Sequence, residues 1–359
     1  MVSPEYYQVI YLFIIFVCTT YTLQKYNIQQ NDNTICIDNS RSTLILSLFF
    51  TLYIGLRPTH ITFVDMVDYA RKIDFLKIAN YDYTWNSENK IFDNLINYIA
   101  KAGWNKSAFF LLIAAIYYIG TFLAIKKFFP NNSFITYLVW LGAFSTFSYG
   151  VNGIKAGAAA SLFLIAVAYY ERRIIAVVFL LLSLGFHHSM ILPVGAFVLA
   201  YFYRNTKVYL AGWCFCLLIA MLHISFFQNL LAGFADERGS EYLLSSGENW
   251  GGRSGFRFDF VLYSAMPVWV GYWAIFRKRV ASVTYEFLLS IYLITNGVWM
   301  LCMYANFTNR IAYLSWCIYP IVLIFPFLKE DLGKDKYRMF TMVASLHLLF
   351  TLFMFIVYY

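Results

Sequence analysis

The sequence predicts an all-α fold, a polytopic transmembrane bundle of about twelve spans at about 20 apolar residues each. Three observations carry that reading. Of 359 residues, 61% are hydrophobic and 13% charged, whereas a soluble domain carries about 25% charged residues. Apolar runs of spanning length recur from end to end, and Lys and Arg fall mostly in short clusters between them. A soluble fold is excluded. With no Pro/Gly/Ser-rich linker or low-complexity tract, residues 1–359 read as a single integral membrane domain.

The first run, Tyr6 to Leu23, has no Lys or Arg before it and no small-residue cleavage site after it, so it reads as a retained helix. Ser107 to Ile125, Ile154 to Tyr170 and Val208 to Phe227 follow. Phe260 to Phe276, Phe287 to Tyr304, Ile311 to Leu328 and Phe340 to Tyr358 form a second group, and Ser42 to Leu56 and Phe134 to Tyr149 are shorter spans. Ile174 to Tyr203 is too long for one span and is interrupted at Gly185, His187, His188 and Pro193, which predicts two short helices. The clusters Lys126/Lys127, Arg172/Arg173, Arg204/Lys207, Arg277 to Arg279 and Lys329 to Arg338 all become cytoplasmic if that stretch crosses twice. Both termini then lie outside, as do the hydrophilic segments 57–106 and 228–259. Within the first segment, Met66, Tyr69, Ala70, Ile73 and Leu76 have helical spacing, and so do Ile91, Phe92, Leu95, Ile96 and Ile99.

The net charge of +8 is a topology signal rather than a nucleic-acid footprint, because the basic residues do not line one face. The six cysteines show neither metal-ligand spacing nor a disulfide framework. Aromatic residues, 21% of the chain, gather at span ends where interfacial belts form.

The residues that break the topology pattern carry the chemistry. Arg57, Lys155, Arg238, Arg253, Arg257 and Arg310 all fall at or near the outer surface. Snorkelling explains any one of them, but the set shares one side. Charges in or beside spans tend to face cavities or partners, and the arginine fork matches phosphate oxygens. Asn152 sits in the turn Tyr149-Gly150-Val151-Asn152-Gly153-Ile154-Lys155, where backbone donors and a helix start can meet an anion; a plain hairpin turn fits equally. Asn309 stands beside Arg310 where a span opens. His187 and His188, at the helix break, offer imidazoles for acid/base work near neutral pH, with neutral structural histidine as the rival. Asp65 and Asp68, near His60 and Arg57, keep a carboxylate base open, although a solvated helix face accounts for both. No metal motif and no nucleotide-binding glycine loop is present.

These motifs resemble the EpsG-like members of the Wzy-type polysaccharide polymerases. The carriers are Leu56-Arg57 with the segment ending Asp68-Tyr69, Tyr149 to Lys155, Phe186-His187-His188-Ser189 before Pro193, Asn309-Arg310-Ile311-Ala312-Tyr313, and Tyr319-Pro320. Two departures stand out. Pro58-Thr59-His60 replaces the Gly-x-Asp often found after the first arginine, and Lys155 stands where arginine is typical. The resemblance implies a GT-C-like membrane glycosyltransferase of the bacterial cytoplasmic membrane, with its active site facing outside. Its substrate would be an undecaprenyl-pyrophosphate-linked oligosaccharide, with no cofactor, metal or nucleic acid. Membrane lipid, a flippase and a chain-length regulator are the implied partners. Arg57, Lys155 and Arg310 would bind pyrophosphate with Asn152, Asn309, Arg253 and Arg257 nearby, and His187, His188 or Asp68 would act in catalysis. The rival classes are a flippase for lipid-linked sugars and a membrane acyltransferase. Long outer segments suit a site that stays outside, and no polar cluster marks an inner entrance for an acyl donor.

Overall fold

The computed structural model describes residues 2–29, 40–79, 83–232, 240–241, 244 and 255–358. It is built of helices: α1 (Tyr7–Gln29), α2 (Ser40–Gly55), α3 (Val64–Ile78), α4 (Lys90–Lys101), α5 (Lys106–Phe128), α6 (Ser133–Leu141), α7 (Phe144–Val151), α8 (Ile154–Ala168) and α9 (Arg173–Phe186). Then come α10 (Ile191–Phe202), α11 (Thr206–Met221), α12 (Phe226–Ala232), α13 (Phe258–Tyr272), α14 (Val283–Leu301), α15 (Thr308–Trp316), α16 (Tyr319–Lys329) and α17 (Lys336–Tyr358). The chain divides into two compact units, residues 1–188 with 334–359 and residues 189–333.

Among the described residues, four stretches are long and apolar enough to cross a bilayer: Pro4–Lys25, Lys106–Phe128, Thr308–Lys329 and Lys336–Val357. The sequence leads to an expectation of about twelve. Much of the difference lies in apolar helices of 10–17 residues, such as Ser40–Gly55 and Ile154–Ala168, which at 1.5 Å per residue fall short of a roughly 30 Å hydrocarbon core. The expected break in Ile174 to Tyr203 is present, as a short 3-10 turn at His188–Met190 between α9 and α10.

In the first unit, α5 lies between α2 and α8, and small residues set the spacing. A Cβ at Gly55 would stand 2.9 Å from the Leu111 Cα, and one at Gly157 only 2.6 Å from the Tyr149 carbonyl oxygen. Ser161 on α8 donates to the Ile116 carbonyl of α5 at 2.8 Å, and Ser183 on α9 donates to the Ala159 carbonyl of α8 at 2.8 Å. Asn105 caps α5 by accepting from the Ser107 amide.

The run expected as one span over Phe134 to Tyr149 is instead two helices, α6 and α7, bent by 75°. A helix end leaves carbonyls without intrahelical partners, and here side chains take them up. His347 Nε2 donates to Val139 at 3.0 Å, Thr146 to Trp140 at 2.7 Å, Tyr11 to Leu141 at 2.8 Å and Thr351 to Gly142 at 2.7 Å. Two of those donors, His347 and Thr351, come from α17 and one, Tyr11, from α1.

In the second unit α14 is the central helix, and a fully buried Asn296 knits its neighbours together. Asn296 accepts from Trp213 Nε1 at 2.8 Å and donates to the Ser264 and Ser315 hydroxyls at 3.1 and 3.0 Å. Trp316 Nε1 reaches the same Ser264 hydroxyl at 2.9 Å. A fully satisfied polar knot of this kind fixes helix register where apolar packing alone is permissive.

Candidate functional site

The outer segment of the first unit folds as a hairpin of α3 and α4. Their apolar faces turn inward as the spacing predicts, with Met66, Ala70, Ile73, Phe92, Ile96 and Ile99 all buried. Lys72 pairs with Asp93 and Lys106 with Asp74, each at 3.0 Å. Gly185 admits α4 against α9, since any Cβ there would collide with the Ile91 side chain.

The first turn of α4 organises two candidate groups. Asn89 Oδ1 accepts the His188 backbone N–H at 2.9 Å, across 99 positions of sequence. Three residues on, the buried Phe92 ring packs against Phe186 and lies 5.9 Å from Lys155 Nζ. Lys155, at the start of α8, and the His187/His188 break, at the end of α9, are thus gathered on one helix turn. His187, His188 and Lys155 are all partly exposed.

Arg57 follows α2 and is 4% exposed. Nη1 donates to the Ile54 carbonyl and Nη2 to the Val151 carbonyl, both at 2.7 Å. The guanidinium also stands 5.3 Å from the Phe63 ring and 5.7 Å from that of Phe110. Burial pushes its pKa down to about 10, so it remains charged at neutral pH. Its Nε, and Oδ1 of Asn152 immediately after Val151, are buried atoms with no hydrogen-bond partner within the protein. Arg57, Phe110, Tyr117, Tyr149, Gly150 and Ile154 help line a crevice too narrow to admit a water molecule.

Asp68 sits on an exposed face of α3, and no contact ties it to the histidines. In the second unit, Arg257 is 9% exposed and makes a two-pronged pair with Asp259, Nε to Oδ1 at 3.0 Å and Nη2 to Oδ2 at 2.7 Å. Its guanidinium also stacks 3.6 Å from the Phe260 ring. Arg310 is exposed on α15 and stands 4.8 Å from the Phe307 ring. Phe307 takes φ of +50°, a left-handed conformation that L-residues other than Asn, Asp and Gly rarely adopt. Beside it, Trp299 Nε1 donates to Thr308 at 2.9 Å, fixing the turn that carries Asn309 and Arg310. Arg238 and Arg253 lie outside the described residues.

Asn89 and Asp259 were not among the residues singled out by sequence. Asn89 precedes an apolar helical run, the place of a helix start, but its tie to His188 has no local signature. Asp259 stands two positions from Arg257, which is a readable pairing. Among the described residues no group of three or more His, Cys, Asp or Glu comes together as metal donors.

No curated protein and no solved structure matches the chain. The model of the EpsG family matches residues 40–359, a stretch that includes every candidate residue above. The chain belongs to the EpsG family.

Proposed function

We propose that this protein polymerises undecaprenyl-pyrophosphate-linked oligosaccharide repeat units by glycosyl transfer on the outer face of the bacterial cytoplasmic membrane. Family membership and the apolar helices make it a membrane protein of polysaccharide biosynthesis. The finer reading rests on one observation, the α4 turn whose Asn89 holds the His188 backbone and whose Phe92 underlies Lys155. A cation and two consecutive histidines brought to one end of α4 suit a reaction that moves a proton while releasing an anion.

In that reaction the hydroxyl of one lipid-linked repeat unit attacks the anomeric carbon of another. The anomeric C–O bond to pyrophosphate breaks, its electron pair leaves with the pyrophosphate, and the hydroxyl proton passes to His187 or His188. Asp68 is the alternative base. Lys155 is assigned to the departing charge, assisted by Asn152 and by the remaining Nε–H donor of Arg57. Arg310 and Asn309 are assigned a further substrate-phosphate contact, with Arg253 and Arg257 in the adjoining segment. Because Arg257 is already paired with Asp259, its part is to hold its segment more than to supply net charge. The donor is already activated, so the reading needs neither metal nor nucleotide sugar.

Incubating purified protein with synthetic undecaprenyl-pyrophosphate repeat unit, and separating products by size, tests this. A ladder of lengthened lipid-linked glycans supports the proposal. No ladder, with the same lipid moving between leaflets in proteoliposomes, replaces the polymerase with a flippase.

A further inference from the structure

Helix α4 ends in a Schellman cap that leaves two rings half exposed. Gly103 takes φ of +68°, the Trp104 amide donates to the Ile99 carbonyl and the Gly103 amide to the Ala100 carbonyl, each at 3.1 Å. The turn brings Trp104 against Tyr98, with ring centroids 6.3 Å apart and planes at 70°. Such caps often carry an apolar contact at these two positions, but here the contact buries little. Tyr98 remains 52% exposed and Trp104 48%. Tyr83, 44% exposed, stands alongside with its ring 4.6 Å from Lys101 Nζ.

We propose that the Tyr98/Trp104 corner, with Tyr83 and Lys101, is a binding site for the saccharide portion of the substrate. The inference rests on the polymerase reading for the identity of that saccharide. A sugar ring has a polarised C–H face and an edge of hydroxyls. The C–H face fits against the electron-rich face of one ring, the second ring walls it, and neighbouring polar groups take the hydroxyls. The pair Lys72–Asp93, between α3 and α4, and the pair Lys106–Asp74, between the start of α5 and α3, put charged groups on the same outer segment. Placement is the second argument. Asn89 before the first turn of α4 holds His188, and the corner lies at the far end of the same 12-residue helix, about 18 Å along its axis at 1.5 Å per residue. A glycan with one end at the histidines reaches the corner a few sugar units later.

The test uses the oligosaccharide released by mild acid from the host's lipid-linked repeat unit and the full protein in nanodiscs, with binding read by saturation-transfer NMR in the absence of turnover. Trp104→Leu and Tyr98→Leu keep an apolar contact in the cap and lose the ring. Saturable binding to the wild type, weakened about tenfold or more in both variants, supports the corner, and does so even if no polymer ladder forms. Where a ladder does form, the variants are expected to give shorter products. Equal binding by wild type and variants overturns the proposal. So does an absent oligosaccharide signal with emission, lost in Trp104→Leu, that headgroup-brominated lipids quench, since that makes Trp104 a membrane-interface anchor.

Discussion

Arg57 donates to the carbonyl of Val151 at 2.7 Å across 94 positions of sequence, joining the end of α2 to the turn that leads into Lys155. A residue singled out for phosphate chemistry is therefore also a brace. Its two terminal nitrogens are engaged with backbone, and only the buried Nε lacks a partner. These roles separate by experiment. Arg57→Ala strips the Val151 carbonyl of its guanidinium donor and leaves the Ile54 carbonyl only the longer bond from the residue 57 amide, and is expected to cost about 2–4 kcal/mol, read as a lower unfolding midpoint in detergent. Arg57→Lys, a single point charge in place of a fork, is expected to recover less than half of that. An Arg57→Ala protein with an unchanged midpoint and no polymer would remove the brace and leave only a substrate role.

Asn89 is expected to matter more for activity than its surface position implies. Asn89→Ala leaves the His188 N–H without its acceptor, a loss of about 1–3 kcal/mol for a buried donor, less where water replaces it. Polymer formation should fall about tenfold or more with membrane expression retained, and Asn89→Asp, which keeps an acceptor oxygen, should restore most of it. Equal activity in Asn89→Ala and wild type would dissociate the α4 turn from the histidines.

Arg310 makes the opposite prediction from Arg57. It is exposed, and exposed substitutions usually shift stability by less than about 0.5 kcal/mol. Arg310→Ala is expected to abolish polymer with expression and unfolding midpoint unchanged. Full-length polymer from that variant would take Arg310 out of the mechanism.

Gly157→Ala tests the packing that holds the Lys155 turn. The new methyl would stand 2.6 Å from the Tyr149 carbonyl oxygen, a backbone atom that cannot swing away, so about 1–3 kcal/mol of overpacking strain is expected. Gly212→Ala has open space around it and serves as the control, expected to be neutral or slightly stabilising in a helix. Comparable midpoints for the two variants would refute the close approach of α8 to Tyr149.

What the sequence makes legible here is local. The inward faces of α3 and α4 follow from spacing alone, and the interruption at His187/His188 follows from Gly185, His187, His188 and Pro193 in an otherwise apolar run. The bend between α6 and α7 is invisible in Phe134 to Tyr149, because only Gly142 interrupts that run and most donors that stabilise the bend sit far away. Arg57 shows the same limit. Its residue type and neighbourhood suggest an anion, while its burial depends on Val151, Phe63 and Phe110 folding around it. The Arg257–Asp259 pair, two residues apart, was readable, and it turns an apparent free cation into a neutralised one.

The α6–α7 bend has a consequence for how the chain is made. Val139 and Gly142 depend on His347 and Thr351, which lie 208 and 209 positions downstream. At about 5–20 residues per second, a ribosome needs roughly 10–40 s to supply them. During that interval carbonyls exposed at the bend in hydrocarbon would each cost several kcal/mol, so the nascent segment is expected to run as a straight helix and to buckle only when α17 arrives. The bend then acts as a completion mark for the first unit, absent from chains truncated before residue 347 and present in released chains that extend past residue 351.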